Sequence, residues 1–152
     1  TPLIASWPAR IRSSRTVHDV GHLVDFMPTF AELAGVDVPA TFQGRDVLPA
    51  EGQSLAGLLG EEATTPVSRE LYWIIGGARA MRQGKWKLVT EGPERVQAGI
   101  PVPAGHEAWG LYDMEADRCE LYNLADRHPD RVRTMSSMWE AWRERTLADT
   151  GV

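Results

Sequence analysis

At 152 residues, with 43% hydrophobic and 24% charged side chains, the chain has the make-up of an ordinary globular protein. Folding can bury roughly two-thirds of its unfolded surface, enough for one compact core, and no apolar run reaches the length of a transmembrane helix. A net charge of −5, with Lys and Arg scattered among acids, gives no electrostatic footprint for nucleic acid or an anionic membrane, and the single cysteine, Cys119, excludes an internal disulfide and a CxxC metal site.

The chain opens on Pro2-Leu-Ile-Ala-Ser-Trp-Pro8. The apolar run 3–7 is expected to be a short strand, closed by Pro8 where the ladder donor is lost. A buried strand at once, with no initiator Met and no signal region, reads as a cut through a longer protein. Residues 10–15 form a basic, Ser-containing loop. Asp25-Phe-Met-Pro-Thr-Phe-Ala-Glu-Leu-Ala-Gly35 is the clearest helix of the first half. Asp25 is placed as its N-cap, Pro28 in its first turn and Gly35 as its left-handed terminator; Phe26, Phe30 and Leu33 share one face.

From 36 to 68 the pattern weakens, with only 54–59 suggesting a short helix, and a boundary is expected in this segment. Glu70-Leu-Tyr-Trp-Ile-Ile75 has strand composition and ends at Gly76-Gly77. Residues 78–82 and 86–90 pair as a hairpin around Gln83-Gly84-Lys85, with Trp86 and Leu88 on the core face and Lys85 and Lys87 on the other. Residues 92–108 form a Pro- and Gly-rich loop before a strand at 110–113. A long helix spans about 129–147, with Pro129 and Asp130 at its start, Arg143 and Arg145 near its end, and Val132, Met135, Met138, Trp139 and Trp142 as one apolar stripe laid across the sheet.

Candidate chemistry is sparse. His18 and His22, four apart with Asp25 near, have the spacing of a metal-binding helix, but Gly21 and the flanking valines favour extended chain and no third ligand is evident. Asp113, Glu115, Asp117 and Glu120 resemble half of a calcium loop, yet its Gly and terminal Glu are misplaced, so an Asx-type turn with Arg118 as counter-ion is expected. Trp73, Trp86 and Trp109 read as core rather than a stacking platform. There is no phosphate-binding glycine loop and no triad spacing for Ser54 or Ser68.

Taken in order, Pro2-Leu-Ile-Ala-Ser-Trp-Pro8, Val24-Asp-Phe-Met-Pro-Thr29, Leu33-Ala-Gly35, Arg82-Gln-Gly-Lys-Trp-Lys-Leu-Val89 and Leu111-Tyr-Asp113 with Asp117, Glu120, Asn123 and Leu124 resemble the C-terminal third of the arylsulfatase family. The resemblance implies an α+β fold: a small antiparallel sheet of about four strands packed against a long C-terminal helix, preceded by a strand and helix remnant of a larger α/β domain akin to alkaline phosphatase. It implies three regions, with 1–40 the end of the large domain, 41–68 a connecting segment and 69–152 the C-terminal subdomain. Family members hydrolyse sulfate esters with a formylglycine nucleophile and a Ca²⁺ Lewis acid.

Ser6-Trp-Pro-Ala-Arg10 matches the formylglycine motif by letter. It lacks the helix and upstream metal-binding acids of that motif and is read as a decoy. No catalytic residue, metal ligand or cofactor is therefore carried onto this chain; Ca²⁺ and formylglycine are expected in the missing N-terminal domain. His106, in the loop 92–108, is expected at the rim of the substrate cleft. The implied partners are the missing N-terminal domain and a sulfate-ester substrate, with self-association through exposed apolar faces such as Leu3, Ile4, Phe26 and Phe30. A bacterial cytoplasmic or periplasmic location is expected. The alternatives are an autonomous binding or interaction domain and the tail of a related phosphonate or phosphodiester hydrolase.

Overall fold

The computed structural model describes residues 2–59, 69–75, 77–90 and 109–150 and divides into two units, Thr1–Val67 and Ser68–Val152. In the first, a 3-10 turn, Leu23–Asp25, runs into α1, Phe26–Ala34. A two-strand ladder of β1, Thr41–Phe42, and β2, Arg45–Asp46, follows, and then a single helical turn, α2, Ala56–Leu59. In the second, β3, Glu70–Ile75, β4, Ala78–Gln83, β5, Trp86–Val89, and β6, Gly110–Asp113, form one antiparallel sheet in sequence order. A 3-10 turn, Ala125–Arg127, leads from it to α3, Pro129–Thr150. The architecture is the α+β one expected.

The sheet follows from alternation. Tyr72, Met81, Leu88 and Leu111 stand opposite one another across the four strands, one residue per strand. Because successive side chains point to opposite faces, that row projects to one side. Met81, Leu88 and Leu111 are fully buried there, against Met135 and Trp139 from α3, with Trp86, Trp109, Val132, Met138 and Trp142 packed around them. The helical stripe read from the sequence is thus the lid of this core. The β4–β5 hairpin pairs Gln83 with Trp86, so its loop is Gly84-Lys85, and Gly84 takes φ +56° at the first loop position, where an L side chain is disfavoured.

Both edges of the sheet are blunted. On β6, Leu111 donates its N–H to Asn123 Oδ1 at 3.1 Å and its carbonyl accepts Leu124 N–H at 2.8 Å. On β3, the Trp139 indole donates to the Trp73 carbonyl at 3.1 Å. Edge groups satisfied in this way are withheld from strand pairing with other chains.

Three expectations in the first unit need correction. The run 3–7 joins no sheet: no described segment pairs with it, and Ile4 is 88% exposed. A strand gains its stability from paired backbone groups, and here the partner strand is lacking among the described residues. Asp25 stands at the N-cap position of α1 without capping it: its backbone is already helical (φ −79°, ψ −18°) and its side chain makes no capping bond to that helix. The helical run begins three residues earlier at His22, whose Nδ1 accepts Val24 N–H at 3.4 Å while the Asp25 carboxylate accepts His22 N–H at 2.6 Å. This is a reciprocal capping box with His in the place of Ser or Thr. Third, the weakly patterned segment after 36 contains the β1–β2 hairpin, turned at Gln43 (φ +51°) and Gly44 (φ +76°). Gly35 does end α1 in the left-handed conformation, with Val36 N–H returning to the Ala31 carbonyl at 3.0 Å.

Candidate functional site

The richest set of ionisable groups in the second unit lies on the turn after β6. Asp113 Oδ1 accepts the N–H groups of Glu115 (3.1 Å) and Ala116 (3.3 Å), an Asx turn, and its Oδ2 accepts Lys85 Nζ at 2.7 Å. Glu120 meets Lys87 Nζ at 2.5 Å, and Asp117 Oδ2 accepts Tyr122 N–H at 2.8 Å. The counter-ions are therefore Lys85 and Lys87 of the neighbouring hairpin, not Arg118 as expected. Three carboxylates of the would-be calcium loop are each committed to a protein donor, and the described residues contain no grouping of three or more Asp, Glu, His or Cys suited to a metal.

The Lys85 ammonium holds the Asp113 carboxyl below its ordinary 3.8, helped by the two backbone N–H bonds, and the same contact raises Lys85 above its ordinary 10.5. For Asp113 the sign is that of a depressed carboxylate. Its contribution is present above the unfolded value near 3.8 and is lost as pH falls through the folded value. Replacing Lys85 by Ala should move the Asp113 titration upward, toward the ordinary carboxyl range, in a carboxyl-carbon NMR titration. An Asp113 titration identical in the two proteins would mean that the pair does not form in solution.

In the first unit, the motif Asp25-Phe-Met-Pro-Thr29 is a clasp. Asp25 is fully buried, and its Oδ1 accepts Gln53 N–H at 3.0 Å. Its carbonyl accepts Thr29 Oγ1 at 2.6 Å, and that hydroxyl oxygen accepts Leu55 N–H at 2.8 Å. Two side chains one helical turn apart thus bind alternate backbone amides of the segment 53–55. Pro28 has no N–H to return to the Val24 carbonyl, and Gly52 packs against that carbonyl so closely that a Cβ there would collide with it. Sequence reasoning placed Asp25 but missed the clasp; the spacing of a buried acid and Thr at i and i+4 was its only trace.

The other candidates separate. His22 serves the capping box, and residues 16–22 are not helical, so His18 and His22 lack the i, i+4 relation of a metal-binding helix. Ser6 is exposed in the unpaired run, and the chain after it turns at 8–10 instead of entering a helix. Trp86 has His128 edge-on at 5.1 Å, with Arg131 and Lys85 over its ring at 4.7 and 5.1 Å. Trp109 has Arg79 over it at 4.7 Å and Trp139 edge-on at 5.9 Å. These rings are claimed by protein groups, as core rings are. His106 lies outside the described residues.

Comparisons with known proteins identify the relatives of this chain. Residues 1–73 match the family model described as N-sulphoglucosamine sulphohydrolase, C-terminal. An uncharacterised sulfatase of Schizosaccharomyces pombe is 30% identical over 99% of this chain and 25% of its own length. An N-acetylgalactosamine-6-O-sulfatase of Bacteroides thetaiotaomicron is 27% identical over 95% of this chain and 27% of its own length. A solved structure from Bacteroides thetaiotaomicron, associated with the metabolism of multiple glycosaminoglycans, shares the fold with a TM-score of 0.58 at 23% identity, covering 79% of this chain and 24% of that one. The chain spans about a quarter of the length of the curated relatives it matches. It is the C-terminal region of a sulfatase, homologous to arylsulfatases and other sulfatases over most of its length.

Proposed function

We propose that this region completes the fold of a sulfuric-ester hydrolase and shapes its substrate cleft, holds no catalytic group of its own, and serves an enzyme whose substrate is a sulfated carbohydrate. The observation that carries the reading is the inside-out character of the first unit. Among its described residues only Asp25, Thr29 and Leu55 are buried, while Leu3, Ile4, Leu23, Met27 and Phe30 are exposed, Phe30 by 65%. A segment held by hydrogen bonds, with its large apolar side chains turned outward, is built to be covered by another body. The remaining three-quarters of a sulfatase is the natural cover, and the Ca²⁺ and formylglycine that fit the family belong to that larger part. The name of the N-acetylgalactosamine-6-O-sulfatase relative supports a sulfated sugar as the substrate class.

The reading is tested by sulfate release from a sulfated N-acetylhexosamine, measured by ion chromatography. The intact enzyme should turn over, deletion of 69–152 should abolish turnover, and the 152-residue chain should release none. Turnover by the isolated chain, or full turnover after the deletion, overturns it. His106 belongs to the same proposal as a residue of the cleft rim. Loss of one hydrogen bond to substrate in His106→Ala should lower kcat/KM about tenfold, and an unchanged kcat/KM on every sulfate ester tried removes His106 from the rim.

A further inference from the structure

The acidic chain has one stretch of opposite character. Its first 18 residues contain Arg10, Arg12 and Arg15 and no Asp or Glu, in a protein of net charge −5. The stretch is shaped, not merely basic. A turn at 8–10 is closed by Arg10 N–H and Ile11 N–H, both donating to the Trp7 carbonyl at 2.9 and 2.7 Å, and Ile11 is half-buried beneath it. Arg10 is exposed and its guanidinium lies over the Trp7 indole at 5.2 Å, a cation–π contact on the turn. Arg12 is exposed one residue beyond Ile11. No ion pair engages either guanidinium among the described residues. Arg15 is already in use, donating to the Leu58 carbonyl at the end of α2 at 2.5 Å.

We infer that Arg10 and Arg12 form an anion-binding patch for the sulfate groups of a sulfated polysaccharide. The inference rests on the sulfatase reading and adds to it a named contact surface. Guanidinium forks match the oxygens of a tetrahedral anion, two of them two residues apart, one on the turn and one just after it, engage two anionic groups of one chain, and their weak hydration lowers the cost of stripping water from them. The acidic remainder of the chain repels the same polymer, so binding concentrates on this turn. Arg10, resting on the Trp7 ring, loses less side-chain freedom on binding than an arginine without such a contact does.

The test uses the 152-residue chain with dextran sulfate, unsulfated dextran and a single-stranded DNA oligomer of matched charge as probes, read by isothermal titration at several salt concentrations. Dextran sulfate should bind and dextran should not. The double variant Arg10→Ala with Arg12→Ala should weaken dextran sulfate binding about tenfold and flatten its salt dependence, at unchanged melting temperature. Arg10→Lys with Arg12→Lys should recover only part of the affinity, because charge returns without the fork. An unchanged Kd in the Ala variant overturns the inference, and so does an equal loss for the DNA oligomer. Sulfate release by the intact enzyme reports separately: turnover with an indifferent patch sinks only the patch, and absent turnover with a sensitive patch sinks only the sulfatase reading.

Discussion

Trp139→Ala is expected to melt the second unit at least about 12 °C below the parent, or to prevent its folding at about 37 °C. The indole is fully buried in the cluster with Met81, Leu88, Leu111 and Met135, and it touches two further rings, Trp109 edge-on at 5.9 Å and Trp142 at 6.0 Å. Truncating a buried Trp to Ala costs about 3–5 kcal/mol, a large fraction of the 5–15 kcal/mol that holds a typical domain, and each kcal/mol moves the midpoint by about 4–8 °C at this size. The indole also carries the hydrogen bond to the Trp73 carbonyl on the sheet edge. Trp139→Phe separates the two roles. It keeps a six-membered ring in the site but loses the five-membered ring with its donor, so its cost should lie between that of the lost hydrogen bond, about 1 kcal/mol, and that of Trp139→Ala. Thermal melts followed by near-UV circular dichroism decide the matter. A Trp139→Ala protein melting within about 5 °C of the parent would mean that α3 is not seated on the sheet as described.

The residues that make this chain recognisable as part of a sulfatase act here as fasteners. Lys87 of the Gly-Lys-Trp-Lys hairpin meets Glu120 of the Leu-Tyr-Asp…Glu…Asn-Leu run, Lys85 meets Asp113, and Asn123 closes the open edge of β6. The loop 114–124 is thereby strapped to the hairpin by the Lys87–Glu120 ion pair and to β6 by the Asn123 amide, while the Lys85–Asp113 pair ties the hairpin to the end of β6. Glu120 adopts φ +56° to make this crossing, a conformation that an L residue takes only when its surroundings hold it there. A signature motif need not mark chemistry; it also marks places where two loops can meet in only one way.

What the sequence revealed follows from range. The hairpin, the strand at 110–113 and the stripe of α3 were legible because periodicity of two or of three and four is a local property, and a local pattern already states which face is buried. Gly35 was legible for the same reason, as a stop signal at the end of an apolar period. The run 3–7 was misread because composition alone cannot say whether a partner strand is present. Lys85 and Lys87 were assigned only to the wet face, since their carboxylates lie more than twenty residues away, and the nearer Arg118 drew the assignment instead. The clasp at Asp25 was hidden by a stronger local explanation: an Asp before a helix is so often an N-cap that a carboxylate serving both a capping box three residues back and an amide 28 residues on went unseen.

Asp25→Ala should therefore open the first unit while leaving the second intact. The carboxylate receives two backbone N–H groups, from His22 at 2.6 Å and Gln53 at 3.0 Å, and lies wholly out of solvent. Its removal strands these donors, at about 1–3 kcal/mol each, in a unit whose only buried apolar side chain among the described residues is Leu55. Little hydrophobic contact is available there to hold 52–55 in place. Asp25→Asn should cost less than Ala but remain destabilising, because one carboxylate oxygen is replaced by an NH₂ that faces a donor. Gly52→Ala attacks the same junction from the other side, since a Cβ cannot fit against the Val24 carbonyl or, at 2.9 Å, against Asp25 Cα. Amide hydrogen exchange reads the outcome residue by residue. Protection at Gln53 and Leu55 should fall about a hundredfold or more in Asp25→Ala and in Gly52→Ala, with Leu88 and Leu111 unchanged. Equal protection of Gln53 in parent and Asp25→Ala proteins would show that the segment is held by something other than this carboxylate. The clasp would then be a consequence of the fold and not its cause.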